Sequence, residues 1–166
     1  MSADTITTAL FLITAVIAAG VLINAVYPVV YNMAGTFTSA THDSDQRLRT
    51  DFKIILITAN GGTKAGTAWM KNVGSAKIPI EEIQRSDVFC GAVGDFSRID
   101  WNAAAGDYWV AEIKETAGQE NNFWDPGETL EVRFQASKLP SNANTQAYFQ
   151  FVLPNGVTRS QEFTVN

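Results

Sequence analysis

Residues 9–30 read ALFLITAVIAAGVLINAVYPVV, and this run decides how the chain is built. It holds no carboxylate, ammonium or guanidinium group, and the nearest acids on either side are Asp4 and Asp43. At 1.5 Å rise per residue, a helix of this length spans roughly 33 Å. That matches a bilayer hydrocarbon core of about 30 Å. Leu10, Phe11, Leu12, Ile13, Val16, Ile17, Val21, Leu22, Ile23, Val26, Val29 and Val30 fall on every face of such a helix. A helix apolar all round belongs in a membrane or inside an assembly, not on the surface of a soluble domain.

Working outward from this run, three readings of it compete. A cleaved secretory signal is disfavoured, because no Lys or Arg precedes the apolar stretch and such signals begin with a basic segment. Met1–Asp4 also lacks the basic residue and glycine of a pilin-type processing site, so the segment is expected to be retained. A simple membrane anchor and a pilin-like helix that packs against copies of itself remain, and they share residues. Ala15 and Ala19 are four apart, as are Gly20 and Asn24. Small residues at that spacing let helix backbones approach, and a buried Asn can hydrogen-bond across the contact. Pro28 removes a backbone donor and is expected to kink or loosen the helix. Tyr27 and Tyr31 beside it suit a membrane–water boundary. Arg47, Arg49 and Lys53 follow the helix, which by a plain count of basic residues favours a cytoplasmic domain. Asp43, Asp45 and Asp51 are interleaved with them.

Behind the helix the hydrophobic period changes. HDSDQRLRTD (residues 42–51) is the linker or the helix's polar end. From Phe52 the pattern alternates with period two, the mark of strands with one buried face. Phe52–Asn60, Thr67–Val73, Val88–Val93, Phe96–Ile99, Tyr108–Glu115, Thr129–Gln135, Gln146–Leu153 and Val157–Val165 read as strands. Ala68, Met70 and Asn72 oppose Thr67, Trp69 and Lys71, while Leu130, Val132 and Phe134 point inward. Ile78–Asp87 reads as a short strand with a helical turn. Asn60-Gly61-Gly62, Asp125-Pro126-Gly127 and Pro154-Asn155-Gly156 are turns, with Pro presetting one φ and Gly supplying a positive one. Residues 116–122 (TAGQENN) are a polar loop. The expected architecture is therefore a long N-terminal apolar α-helix (1–42), a polar linker (43–51) and an all-β antiparallel sandwich of seven to eight strands (52–166).

The chemistry-bearing residue types are sparse. There is one cysteine, Cys90, and one histidine, His42, far apart in sequence. No intrachain disulfide is possible, the usual zinc ligand set is unavailable, and Cys90 reads as a small buried hydrophobe. No nucleophile-elbow, phosphate-loop, metalloprotease or EF-hand pattern occurs. Asp95, Asp100 and Asp107 fall in loops without calcium-ligand spacing. The net charge of −5 and the lack of a basic face argue against nucleic acid. The four tryptophans, Trp69, Trp101, Trp109 and Trp124, read mainly as packing residues, with one or two available for an exposed contact. No enzyme activity, catalytic residue, metal or cofactor is expected.

Five segments carry a resemblance: Thr7-Thr8-Ala9-Leu10-Phe11-Leu12-Ile13, Ala68-Trp69-Met70-Lys71-Asn72-Val73-Gly74, Ser86-Asp87-Val88-Phe89, Trp124-Asp125-Pro126-Gly127-Glu128-Thr129-Leu130, and Phe151-Val152-Leu153-Pro154-Asn155-Gly156-Val157. Together they make nearly the whole chain resemble archaeal flagellar (archaellum) accessory proteins of the FlaG type, relatives of archaellins and of FlaF. The resemblance implies an immunoglobulin-like sandwich outside the cytoplasmic membrane, held by the N-terminal helix. It implies a structural role linking the archaellum motor to the cell envelope. The implied partners are other copies of the chain, a FlaF-type protein, the cytoplasmic membrane and the surface layer. The alternative is an archaellin- or pilin-like filament subunit whose helices bundle as the filament core. A third class is a membrane-tethered lectin or enzyme, which no motif supports.

Overall fold

The computed structural model describes residues 2–115 and 121–166. It divides into two compact bodies, residues 1–44 and 45–166.

The first body is helical throughout, and the helix (α1, Ser2–Arg49) continues into the second. It runs through Pro28 without a break in helical assignment. Thr and Ser are indifferent helix formers, and their hydroxyls need partners in an apolar setting. Here seven of them are bonded to the helix backbone. Thr7, Thr8, Thr36, Thr38, Ser39 and Thr41 donate to the carbonyl one turn back, and Thr14 reaches those of Leu10 and Phe11. Those hydroxyls are thus already bonded when water is removed. The last turn, Asp45–Arg49, belongs to the second body and is fastened there. Ser75 and Ala76 donate backbone N–H to the Arg49 carbonyl, and Asn155 Nδ2 donates to Thr50 Oγ1 at 3.1 Å.

The second body is a sandwich whose two four-stranded layers are halves of one continuous eight-stranded sheet. The first has the order β1 (Phe52–Asn60), β2 (Ala65–Asn72), β8 (Thr129–Gln135), β6 (Tyr108–Lys114). The second has the order β5 (Asp95–Trp101), β4 (Asp87–Ala92), β9 (Gln146–Val152), β10 (Thr158–Thr164). A two-residue ladder of β3 (Ile78–Pro79) and β7 (Phe123–Trp124) and a short helix, α2 (Ile80–Gln84), complete the fold. The expected polar loop lies mostly outside the described residues, since 116–120 are not described.

Eight strands join the main sheet system, as the alternation predicts, and all their pairs but one are antiparallel. The exception is β5 with β6, which run parallel over Asp100↔Tyr108 and Trp101↔Trp109. There the chain crosses between sheets, so the end of one strand meets the start of the next side by side. The opposite side of the sandwich is closed by β1 and β10. Arg159 Nε donates to the Phe52 carbonyl at 3.1 Å, Asn166 N–H donates to Ala59 O, and Gly61 N–H donates to Asn166 O. The sheet system therefore leaves few unpaired edges.

Between the sheets, Trp109 and Trp124 are fully buried with Phe52, Phe149, Phe151, Met70, Leu130 and Val132. Phe52 meets Phe151 edge-on at 5.6 Å, and Trp109 meets Phe151 at 5.8 Å and Trp101 at 4.6 Å. This aromatic layer supplies the bulk of the buried apolar area. Asn72, buried at the end of β2, spends its amide on Ala76 O and Trp124 O, and its oxygen accepts from Gly74 N–H. The Asp-Pro-Gly turn has the expected form, with Gly127 at φ +93°. Trp124 Nε1 donates to Glu128 O across it.

Candidate functional site

No catalytic constellation forms among the described residues. Cys90 is buried and free, and desolvation pushes its thiol from 9.0 up to about 12. Asp95, Asp100 and Asp107 do not gather. Asp95 pairs with Lys138, Asp100 with Arg98 at 2.7 Å, and Asp107 accepts from Ser137 N–H and Oγ. No group of three or more His, Cys, Asp or Glu suited to a metal ion is found among the described residues. What this molecule offers are surfaces.

The largest is α1. Every side chain from Leu10 to Val30 is exposed, and the helix is long and apolar enough to cross a membrane. Ala15, Ala19, Gly20 and Asn24 all lie open, and a Cβ added at Gly20 would meet nothing within 4 Å. Tyr27 and Tyr31 stack at 6.5 Å, one turn apart, flanking Pro28.

A second surface is the outer face of β1-β2-β8-β6. A bulge between Ile54 and Leu56 shifts the register of β1. An extra residue in one strand re-aims its neighbours. Ile55 and Leu56 are 55% and 51% exposed, while Ile57 turns into the core. Leu56 sits opposite Trp69, which sits opposite Glu131, then Glu112. The two glutamates would repel, but Lys114 bridges both at 2.8 Å and Arg133 reaches Glu112 at 3.3 Å. The hydrogen bond from Lys114 holds Glu112 below the usual carboxylate range. One row away, Lys53 sits opposite Lys71, and neither has an ion-pair partner among the described residues.

The outer face of the other sheet carries Phe96 and Tyr148 with rings 4.6 Å apart over Gly91, their common register partner. Arg98 bridges Asp87 and Asp100, and the Asp87 hydrogen bond raises its already high pKa. The sequence reading found the helix surface directly. It missed the β1 patch, because FKIILITAN gives no sign of where a bulge resets the alternation.

The chain matches the archaeal-type flagellin family over residues 2–163. The chain belongs to the archaeal-type flagellin family. This agrees with the resemblance carried by the motifs. An uncharacterized protein of Archaeoglobus fulgidus is 25% identical over 169 residues, 99% of each chain. Among solved structures, the archaellum periplasmic stator protein FlaG from Sulfolobus acidocaldarius is similar with a TM-score of 0.56 and 26% identity, covering 69% of this chain and 99% of that one. The FlaF and FlaG stator complex from the same organism is similar at 0.55 and 27% identity, covering 68% and 87%. The archaeal flagellum of Methanospirillum hungatei strain JF1 has a TM-score of 0.65 across 97% of this chain and 93% of that one. At 13% identity, that last likeness shows the fold alone, including the long helix.

Proposed function

We propose that this chain is a non-enzymatic structural component of the archaellum, of the FlaG stator type. Its helix anchors it in the cytoplasmic membrane, its sandwich lies outside, and copies associate to link the motor to the cell envelope. One observation carries the reading: the likeness to the FlaG stator protein extends over 99% of that chain at 26% identity, and this chain adds an uncovered apolar helix. Ala15, Ala19, Gly20 and Asn24 are the helix–helix contacts of the reading, and Tyr27, Pro28 and Tyr31 its membrane boundary. A FlaF-type protein is the proposed hetero-partner, supported by the solved FlaF and FlaG complex. The surface layer is the proposed outer anchor.

A specific observation favours a second reading, the filament subunit. The archaeal flagellum of Methanospirillum hungatei matches helix and sandwich together. Deleting the gene in an archaellated host separates the two. The stator reading expects cells that keep filaments but lose rotation. Loss of the filaments themselves would favour the second reading, and normal swimming would overturn both.

A further inference from the structure

We infer that the outer face of β1-β2-β8-β6 holds a binding site for a neutral saccharide. A depression of about 530 Å³ lies on this face. It follows two adjacent rows of the sheet. One row is Thr58, Thr67, Arg133 and Val110, and the next runs from Asn60 and Ala65 across to Tyr108. Side chains on one face of a strand recur every second residue. Both rows therefore share the outer face, and the alternate residues Ala68, Val132 and Trp109 are buried in the core. The hollow follows from side-chain size. Short side chains, Thr58, Ala65 and Thr67, line it from β1 and β2, and long ones, Arg133 and Tyr108, line it from β8 and β6. Four strands spaced by about 4.8 Å make it roughly 14 Å wide, which suits a short oligosaccharide.

The polar groups in this hollow are uncommitted. The hydroxyls of Thr58, Thr67 and Tyr108 have no hydrogen-bond partner among the described residues. Asn60 uses only its Oδ1, which accepts from Gly62 and Thr63 N–H. Arg133 is the one charged side chain in the lining, and Glu112 at 3.3 Å and Glu131 at 4.0 Å already counter it. An anionic ligand would compete with two carboxylates for that guanidinium, so the chemistry favours a neutral one. A hydroxyl both donates and accepts, which matches the hydroxyls of a sugar. A sugar ring also has an apolar face, which suits an aromatic side chain with a polar tip. Tyr108 supplies one such ring. Trp69, half-buried in the row beyond Thr67, supplies a second, and its indole N–H has no partner among the described residues. A concave surface with apolar walls and a few placed polar groups is the form of a small-molecule site. This site does not depend on whether the chain serves as stator or as filament subunit.

The test uses the full-length chain in micelles of a detergent without a sugar headgroup. Maltotriose, cellotriose, mannotriose and triacetylchitotriose are titrated by calorimetry, with heparin as the charged control. Saturation-transfer NMR on the same samples reads which sugar protons touch the protein. At least one trisaccharide should bind with a Kd on the order of 0.1–1 mM. Tyr108→Leu should weaken it about tenfold by removing the stacking ring, and Tyr108→Phe, which keeps the ring, should weaken it less. Thr67→Val keeps the side chain's shape without its hydroxyl and should weaken binding about threefold or more. The Phe and Val variants preserve packing, so they decide the matter if Tyr108→Leu does not fold. Binding of none of the four trisaccharides overturns the proposal. So does trisaccharide binding unchanged by Tyr108→Phe and Thr67→Val together. Heparin bound alone, and released by salt, would assign the face to Lys53 and Lys71 as an anion surface and overturn it as well.

Discussion

At the scale of single residues, the interior and the surface obey different rules. Trp109 is fully buried and touches Trp101 and Phe151. Replacing it with Ala should cost about 3–5 kcal/mol of domain stability by lost transfer energy and the cavity left behind. Denaturant unfolding of the variant reads this directly. Cys90 gives a second prediction. Burial raises its thiol from 9.0 to about 12, so the folded state keeps the proton after the unfolded chain has lost it. The stability this contributes is fully present below about pH 9 and is lost as the pH rises toward 12. At neutral pH a maleimide should leave Cys90 unmodified in the folded chain and label it once urea unfolds the domain. Labelling at equal rates in both states would contradict its buried position. The inward positions at Leu130, Val132, Phe134, Ala68 and Met70 were legible in the alternation, since a half-buried strand has one dry face. Ile55 and Leu56 were not. A run of consecutive aliphatic residues fits either face, and only the pairing with Trp69 and Met70 shows where the bulge falls.

At the scale of elements, helix α1 was the most legible part, because no soluble packing absorbs an apolar surface on every side. Its extent was less so. Residues 42–51 read equally as linker or polar helix end, and the structure carries the helix to Arg49. The reason is local: Ser75, Ala76 and Asn155 capture the backbone and hydroxyl groups that a helix end leaves unsatisfied. If the small residues of α1 mediate assembly, Ala15→Leu with Ala19→Leu should lower the oligomer mass in micelles without altering sandwich unfolding, and Asn24→Leu tests the polar contact. Unchanged oligomer mass would remove the small-residue contact. The closure of β1 onto β10 is the element-scale feature the sequence hid, since it joins the first strand to the last. Arg159 ties it at Phe52 O and at Asp51, 2.5 Å away. That guanidinium is half-exposed, so Arg159→Met should cost only about 1 kcal/mol, read as a lower denaturation midpoint.

At the scale of the whole molecule, the helix and the sandwich make different demands on their surroundings. The helix has 48 residues, roughly 70 Å at 1.5 Å per residue. A bilayer core accounts for only about 30 Å of that. The remainder includes Thr36, Thr38, Ser39 and Thr41, whose hydroxyls are already bonded to the helix backbone. Such a stretch tolerates the boundary between lipid and a protein bundle. Orientation is the point on which the residues and the proposal pull apart. Arg47, Arg49 and Lys53 argue for a cytoplasmic sandwich, but Arg49 pairs with Asp45 at 3.8 Å and Asp51 sits between them. With the domain outside, Ser160→Cys on the exposed face of β10 should react with a membrane-impermeant maleimide in intact cells, while the buried Cys90 stays silent. Labelling only after lysis would reverse the topology.

The most direct measurement of the central claim is electron cryotomography of cells in which the sandwich carries a gold-tagged antibody. The stator account predicts label clustered at the base of each archaellum, outside the cytoplasmic membrane. Label running along the filament, or spread over the cell without regard to archaella, would contradict it.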